Sequence, residues 1–132
     1  MKVLVFFVLL ISMAHAETHR ITSDNGGSLI AYNEKFREWS SHGDDVVIDG
    51  VCASACTLVL AARMKLCSTD KGVLGFHSAS RDGVYSRGAT LFMWTAYRLR
   101  LQNLIQERGW DGSNEHPDPI YIPALQVVPR CR

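Results

Sequence analysis

An excess of charge of either sign is missing from this chain of 132 residues. It has 14 Lys and Arg against 13 Asp and Glu, so its formal charge is +1 with neutral histidines. Proteins that bind nucleic acid or anionic membrane surfaces through bulk charge carry a marked basic excess. The balance therefore argues against a nucleic-acid partner, and the basic side chains are interpreted as parts of solvated faces.

Long apolar runs are also missing, apart from a short one near the start of the chain. The run Val3–Ile11 follows Lys2 and precedes an A-H-A sequence at positions 14–16. It is shorter than the roughly 18 apolar residues that a membrane span needs, and these three parts are typical of a secretory signal peptide. We therefore predict a signal peptide over residues 1–16. The mature chain, 17–132, is then expected to be one exported domain, periplasmic or secreted, with no stable membrane anchor after cleavage.

Motifs for cofactors, metals and internal repeats are lacking as well. Gly26 and Gly27 stand outside any P-loop or dinucleotide-binding pattern. His116 lies in an E-H-P-D sequence that is interpreted as a solvated turn rather than a metal site. Ser54 has cysteines where the G-x-S-x-G elbow has glycines. We expect no cofactor and no metal.

Four cysteines are present: Cys52, Cys56, Cys67 and Cys131. An even number in an exported domain predicts disulfides, and four cysteines allow three pairings. We favour Cys56–Cys67 with Cys52–Cys131. Cys52 is expected in the turn and Cys56 in the first turn of the helix, which is a poor geometry for these two to pair with each other. The C-x-x-x-C spacing leaves a thiol or copper site at Cys52 and Cys56 as an alternative.

The first half of the mature chain predicts a strand, a helix and a second strand. Thr18–Thr22 alternates polar and apolar residues, Ser28 can cap a helix with an apolar face, and Val46–Asp49 is β-branched and apolar. Gly43 marks the end of the helix. Such crossovers are right-handed and join parallel strands, so the fold class is α/β with a parallel sheet built from βαβ units and flanking helices.

The second half predicts further elements in a less regular order. They are a helix over Ser54–Arg63, strands over Lys65–Ser68 and Val73–His77, a polar loop over Ser78–Arg87, and a long helix over Thr90–Arg108 that ends at Gly109. Residues 110–132 are rich in turn residues and broken by Pro123, so no regular element is assigned there.

Ser54 stands where a predicted strand meets a predicted helix, in the sequence V-V-I-D-G-V-C-A-S-A-C-T. A serine nucleophile needs a sharp turn, donors for an oxyanion and a nearby base. Ala55 N–H is one candidate donor, Gly26 or Gly27 offers the second, and His77 in G-F-H-S is the candidate base. Two alternatives stay open: Ser54 caps a buried helix, and His77 is a core histidine.

Together these sequences resemble the Clp-protease/crotonase superfamily. The similarity rests on I-T-S-D-N-G-G-S-L-I-A-Y, D-G-V-C-A-S-A-C-T and G-F-H-S in that order, and it covers roughly residues 20–79, more loosely to Gly109. Small exported bacterial proteins with the same C-x-S-A-C-T and G-F-H core are similar over the same region. The resemblance implies a small Clp/crotonase-like domain that lacks the N-terminal βαβ unit of larger members.

The resemblance also implies a serine hydrolase or peptidase acting on a peptide or acyl substrate. Ser54 would be the nucleophile, His77 the general base, and the Gly27 and Ala55 N–H groups the oxyanion hole. The usual third acid has no match near Gln126, and Asp118 and Asp111 are the nearest candidates. The alternative is a non-catalytic binding or assembly module that keeps the fold. Since members of the superfamily oligomerise, a homo-oligomer is also implied.

Overall fold

The computed structural model describes residues 15–132, so the predicted signal peptide, residues 1–16, lies outside the described residues except for its last two positions. The strands are β1 (Thr18–Asp24), β2 (Asp45–Ala53), β3 (Lys65–Ser68), β4 (Val73–Phe76), β5 (Ser80–Arg81), β6 (Val84–Tyr85) and β7 (Ile120–Pro123). The α-helices are α1 (Leu29–His42), α2 (Arg87–Ala96) and α3 (Leu99–Gln106), and two 3₁₀ helices cover Ser54–Ala61 and Ala124–Gln126. Over these residues no helix has the length and apolarity of a bilayer span.

The main sheet has five strands and is mostly parallel, as the sequence predicts. Its order is β1-β2-β4-β7, and β3 also pairs with β2. Strands β1, β3 and β4 all run parallel to β2, while β7 is antiparallel to β4. Strands β3 and β4 follow one another along the same edge of β2, the first at residues 45–48 and the second at 51–53. The fold is therefore mixed α/β with flanking helices.

The predicted strand–helix–strand unit is present. Ser28 caps α1 by accepting a hydrogen bond from the Ala31 N–H. Gly43 ends the helix with φ 76°, a left-handed conformation that glycine adopts without a steric penalty. The chain then returns as β2, parallel to β1, with Phe36 of α1 buried against the sheet.

One face of the sheet forms the core, and the other is largely open. The core face carries apolar side chains from three strands, with the helices packed on it: Val46, Ile48, Cys52, Leu74, Phe76 and Ile122. On the opposite face Val47, Val51 and Val73 are half-buried, and Tyr121 is 53% exposed. Parallel sheets usually have both faces covered, so the open face is an unusual feature of this chain.

The predicted helix after Ser54 is a 3₁₀ helix rather than an α-helix, and it ends at Ala61. Two local constraints favour the tighter winding. The Thr57 hydroxyl donates to the Ser54 carbonyl three residues earlier, and a disulfide joins Cys56 to Cys52 in the preceding strand. The predicted strand over Lys65–Ser68 is confirmed, and β4 ends one residue before the predicted end at His77.

The predicted long helix over Thr90–Arg108 is wrong as one element, because the chain breaks at Tyr97 and Arg98. Tyr97 is extended, with ψ 138°, and 5% exposed, so its ring is directed into the core instead of along a helix. The Gln102 side-chain amide donates to the carbonyls of Trp94 and Tyr97 at the end of α2. This interaction satisfies carbonyls that a continuous helix would have used.

Two predicted irregular segments contain short strands. The polar loop 78–87 folds as the hairpin β5–β6, whose turn residues Asp82 and Gly83 both have positive φ. An Asp-Gly pair is a known signal for this turn. Segment 110–132 contributes β7, which pairs with β4 and ends at Pro123, a position that suits a residue without a donor N–H.

Both disulfides are present, but the predicted pairing is wrong. The bonds are Cys52–Cys56 and Cys67–Cys131, not Cys56–Cys67 and Cys52–Cys131. Cys52 lies in β2 rather than in a turn, and the sharp bend at Ser54 brings the Cα atoms of Cys52 and Cys56 to 5.3 Å. The C-terminal tail pairs with Ser68 and so places Cys131 beside Cys67. Two disulfides indicate an oxidising environment.

Candidate active site

Ser54 occupies a strained position at the joint between β2 and the 3₁₀ helix. Its φ is 57°, and within residues 15–132 the only other non-glycine residue with positive φ is Asp82 in the hairpin turn. This conformation costs an L-residue about 1–2 kcal/mol. Ser54 is half-buried, whereas the five residues after it are buried. Strain of this kind is concentrated at functional sites, where the surroundings hold it in place.

A buried chain of hydroxyls holds the Ser54 backbone. The Thr57 hydroxyl donates to the Ser54 carbonyl at 2.6 Å, and Tyr97 Oη lies 2.6 Å from Thr57 Oγ1. Because the single Thr57 hydroxyl proton is used on the carbonyl, Tyr97 is the donor to Thr57. Burial raises the pKa of Tyr97 well above its usual range, against a smaller lowering effect of the Thr57 hydrogen bond. The phenol therefore stays protonated and able to donate.

The glycine loop after β1 lies directly against the Ser54 turn. Gly26 has φ 81°, and a Cβ added there would fall 2.7 Å from both Ala55 N and Ser54 Cβ. Strand β1 reaches this place because Asp24 pairs with Cys52 in the parallel register. The predicted juxtaposition of the two loops at the carboxyl ends of neighbouring strands is thus present.

The backbone N–H groups of Gly27 and Ala55, which are predicted to form the oxyanion hole, differ from the N–H of Gly26 in having no acceptor among residues 15–132. The Gly26 N–H donates to Asp24 Oδ1 at 2.9 Å, so it is already used. The Gly27 N–H has no acceptor within the described residues, and Gly27 is exposed. Ala55 is the second residue of a 3₁₀ helix, where N–H groups have no partner inside the helix. Of the two, only Gly27 lies at the surface, since Ala55 is 0% exposed and Gly26 packs against its nitrogen.

Asp24 also organises the loop through α1. It accepts from the Tyr32 hydroxyl, and its second oxygen lies 3.7 Å from Lys35 Nζ. Burial, then the hydrogen bond to Asp24 and the charge of Asp24, raise the pKa of Tyr32 to about 12. The neutral phenol and the carboxylate together fix the loop that carries Gly26 and Gly27.

His77 leaves the sheet at the same end as Ser54, on the neighbouring strand. The register pairs Ala53 with Gly75. Ser54 is the residue after Ala53, and His77 is two residues after Gly75. His77 Nδ1 lies 2.7 Å from the Ser78 carbonyl oxygen, which only accepts, so Nδ1 carries the proton. In the neutral ring Nε2 then has a free lone pair, as a general base requires. Within residues 15–132, neither Nε2 nor Ser54 Oγ has a hydrogen-bond partner, so the structure does not join the predicted nucleophile and base by a hydrogen bond.

Neither candidate for the third member of the triad forms a hydrogen bond with His77. The Asp111 carboxylate accepts from the N–H and the hydroxyl of Ser113, interactions that lower its pKa. Asp118 is exposed, and its backbone carbonyl, not its carboxylate, accepts from His116. The group that orients His77 is the Ser78 carbonyl. Ser78 is fixed in turn by its N–H donating to the His116 carbonyl and its Oγ accepting from the His116 N–H.

The described residues offer no site for a metal or a reactive thiol. Over residues 15–132 no group of three or more His, Cys, Asp or Glu side chains could hold a metal ion. No cysteine there is free, because all four are in disulfides. The alternative of a thiol or copper site at Cys52 and Cys56 therefore has no free thiol to use.

Some contributors to the site were missed from the sequence. Asp24 in D-N-G-G carries a signal that could have been recognised, since Asp before a glycine turn commonly bonds to the backbone two residues later. Thr57 and Tyr97 are 40 residues apart and meet only through the fold. No sequence pattern indicates a backbone carbonyl as the partner of His77.

Comparison of the chain with protein-family models, with curated proteins and with solved structures finds no match. The candidate site therefore depends on its own geometry.

The strained backbone of Ser54 predicts that glycine at this position gives a more stable protein than alanine, the reverse of the usual order in a helix. Glycine adopts φ 57° without the αL cost of about 1–2 kcal/mol. Its greater freedom in the unfolded chain offsets about 0.5–1 kcal/mol of that gain. We expect Ser54→Gly to be more stable than Ser54→Ala by about 0.5–1 kcal/mol in urea unfolding. Ala61→Gly, at an exposed helical position, should instead lose about 0.5–1 kcal/mol. Equal stability of the two Ser54 variants would refute the strain.

Proposed function

We propose that this chain is an exported serine hydrolase of the Clp-protease/crotonase type, acting on peptide or acyl bonds. The observation that carries the proposal is the left-handed φ of Ser54 at a strand–helix joint, with the Gly26 backbone packed against it. A serine that only caps a helix needs no such strain, because cap residues take extended backbone angles. The two disulfides support export, and the parallel sheet with a βαβ unit supports the fold type.

In the proposed reaction Ser54 Oγ attacks the carbonyl carbon of the substrate. His77 Nε2 takes the hydroxyl proton and then gives it to the leaving group, and the ester formed at Ser54 is hydrolysed by water in a second step. The Gly27 and Ala55 N–H groups donate to the oxyanion in each tetrahedral intermediate. Donors of this kind are each worth about 10²–10³ in rate.

The Ser78 carbonyl replaces an acid in orienting the base. It holds the Nδ1–H tautomer but adds no negative charge to stabilise the imidazolium that forms during attack. We therefore expect a slow enzyme compared with one that has a full triad. Replacing the acid of a triad by asparagine lowers kcat by about 10⁴ because the histidine then takes the wrong tautomer. The Ser78 carbonyl keeps the correct tautomer, so the loss expected here is smaller than that.

The proposal is tested by labelling the purified mature chain with a fluorophosphonate. We expect one phosphonyl group per chain by intact mass, located on Ser54 and lost in Ser54→Ala. Ser80→Ala is the matched control, because it removes an exposed hydroxyl on β5 that does not belong to the groups orienting His77. Absence of labelling in a folded sample over a range of pH, or labelling that survives Ser54→Ala, would overturn the proposal.

The second candidate function is a non-catalytic binding or assembly module. It is favoured by the lack, within residues 15–132, of any carboxylate bonded to His77, and by the open face of the sheet with Tyr121 53% exposed. Members of the superfamily oligomerise, so this face is a candidate interface with a second copy. Sedimentation of wild type and Tyr121→Ser tests this interface. An assembly that is lost with Tyr121 supports the module only where the wild type also fails to take up the fluorophosphonate, because an oligomeric enzyme would sediment in the same way.

A further inference from the structure

Asp44 is a buried carboxylate without a permanently charged partner in the described part of the chain. The residue is 3% exposed, at the junction between α1 and β2. One oxygen accepts from the Glu17 backbone N–H at 2.9 Å, and the other lies 2.8 Å from His19 Nε2. Among residues 15–132 its only ion-pair partner is His19, which is charged only when protonated. Buried carboxylates are normally matched by a cation.

Backbone hydrogen bonds fix both Glu17 and Asp44, so the Glu17 nitrogen stays close to the Asp44 carboxylate. The Asp45 N–H donates to the Glu17 carbonyl at 2.8 Å, which begins the pairing of β1 with β2. The Asp44 N–H donates to the Trp39 carbonyl, and the Trp39 ring stacks on His19 at 3.7 Å. The carboxylate therefore has a defined position relative to residue 17.

We propose that Asp44 is the binding site for the amino terminus of the mature chain, whose α-ammonium group supplies the cation that the carboxylate lacks. Hydrolysis of the Ala16–Glu17 amide by a signal peptidase consumes one water, leaves a carboxylate on Ala16 and frees the Glu17 nitrogen, which is then protonated. That nitrogen is the atom that Asp44 already contacts. The inference depends on cleavage after Ala16 and is independent of the chemistry of Ser54.

The surroundings suit an ammonium group. Ala16 and Glu17 are exposed, so the bond to be cleaved is accessible. The bond from the Glu17 N–H to the ionised Asp44 is already charge-assisted on the acceptor side. An ammonium donor at the same place adds the attraction between two opposite unit charges, so removal of the signal peptide strengthens the anchor of β1. The Glu17 N–H bond first, and the His19 bond next, lower the pKa of Asp44, which keeps it ionised. The charge of His42 in α1 also lowers the pKa of Asp44, and Asp45 in β2 is the next residue along the chain.

The test compares chains that begin at Glu17 with chains that keep Ala16, each in wild type and in Asp44→Asn. In the wild-type chain that begins at Glu17, we expect the pKa of the α-amino group to lie at least one unit above the usual value of about 7.7–8.0. Its rate of acylation by acetic anhydride against pH measures that value. Because the pKa is raised by folding, the added stability is complete below pH 7 and is lost as pH rises through the folded value.

The urea midpoint of the Glu17 chain should therefore exceed that of the Ala16 chain at pH 7, and the gap should close at alkaline pH. Asp44→Asn should restore an ordinary amino pKa and remove the gap, while Asp45→Asn should keep both. An ordinary amino pKa in the wild-type chain that begins at Glu17 overturns the proposal, as does a gap of unchanged size in Asp44→Asn. If Asp44→Asn does not fold, the amino pKa of the wild-type chain alone decides.

Discussion

Replacement of Cys67 and Cys131 by alanine is expected to lower the free energy of unfolding by about 4 kcal/mol. The bond closes a loop of 64 residues, and in the chain-entropy treatment the loss grows with the logarithm of loop length. It also ties the last residues of the chain to β3, where Ser68 pairs with Arg130. Many small domains have a total stability of only about 5–15 kcal/mol, so this bond is a large share of it. Urea unfolding of the double variant measures the effect.

The matched control is the double replacement of Cys52 and Cys56. This bond spans a separation of four residues, so the same treatment gives only about 2 kcal/mol. Its removal should have the larger effect on Ser54, because it constrains the turn on both sides of that residue. A loss from Cys52–Cys56 that equals or exceeds the loss from Cys67–Cys131 would show that packing of the buried sulfurs, and not loop entropy, dominates.

Gly26→Ala should be the most damaging single substitution in the glycine loop. It imposes an αL cost of about 1–2 kcal/mol at φ 81°. It also places a Cβ 2.7 Å from Ala55 N, a contact that the backbone must relieve at about 1–3 kcal/mol. We expect a loss of about 2–5 kcal/mol in unfolding free energy, and loss of fluorophosphonate labelling even where the variant remains folded.

Substitutions at Gly27 and Gly43 separate the cost of the left-handed backbone from the cost of the steric contact. A Cβ at Gly27 would meet only Tyr32, at an ordinary 3.5 Å, so Gly27→Ala should change stability by less than about 0.5 kcal/mol. Gly43 has φ 76° with nothing within 4 Å of an added Cβ, so Gly43→Ala should show the backbone cost alone, about 1–2 kcal/mol. If Gly26→Ala is no worse than Gly43→Ala, the loop does not press on the Ser54 turn as the structure describes.

The fold was partly predictable because its first unit has strong local signals. Ser28 and Gly43 mark the two ends of α1, and the β-branched run at 46–49 lies in β2. The break between α2 and α3 was not predictable, since its cause is the burial of Tyr97 against Thr57 rather than a breaking residue. Strand β7 was missed because Pro123 argues against a strand unless a partner is known, and that partner is β4.

The sequence by itself determined the α/β class and the parallel pairing of β1 with β2, because periodicity and capping are local properties. Ser54, Ala55 and His77 were proposed from their local sequence, whereas Gly27 was preferred to Gly26 only through the family resemblance. Tertiary structure alone decided which cysteines pair, since the bend at Ser54 and the path of the tail set the Cα distances. It also decided the φ of Ser54, the proton position on His77 and the burial of Asp44. Each of these depends on contacts between distant segments or on the backbone path, and no local pattern in the chain records them.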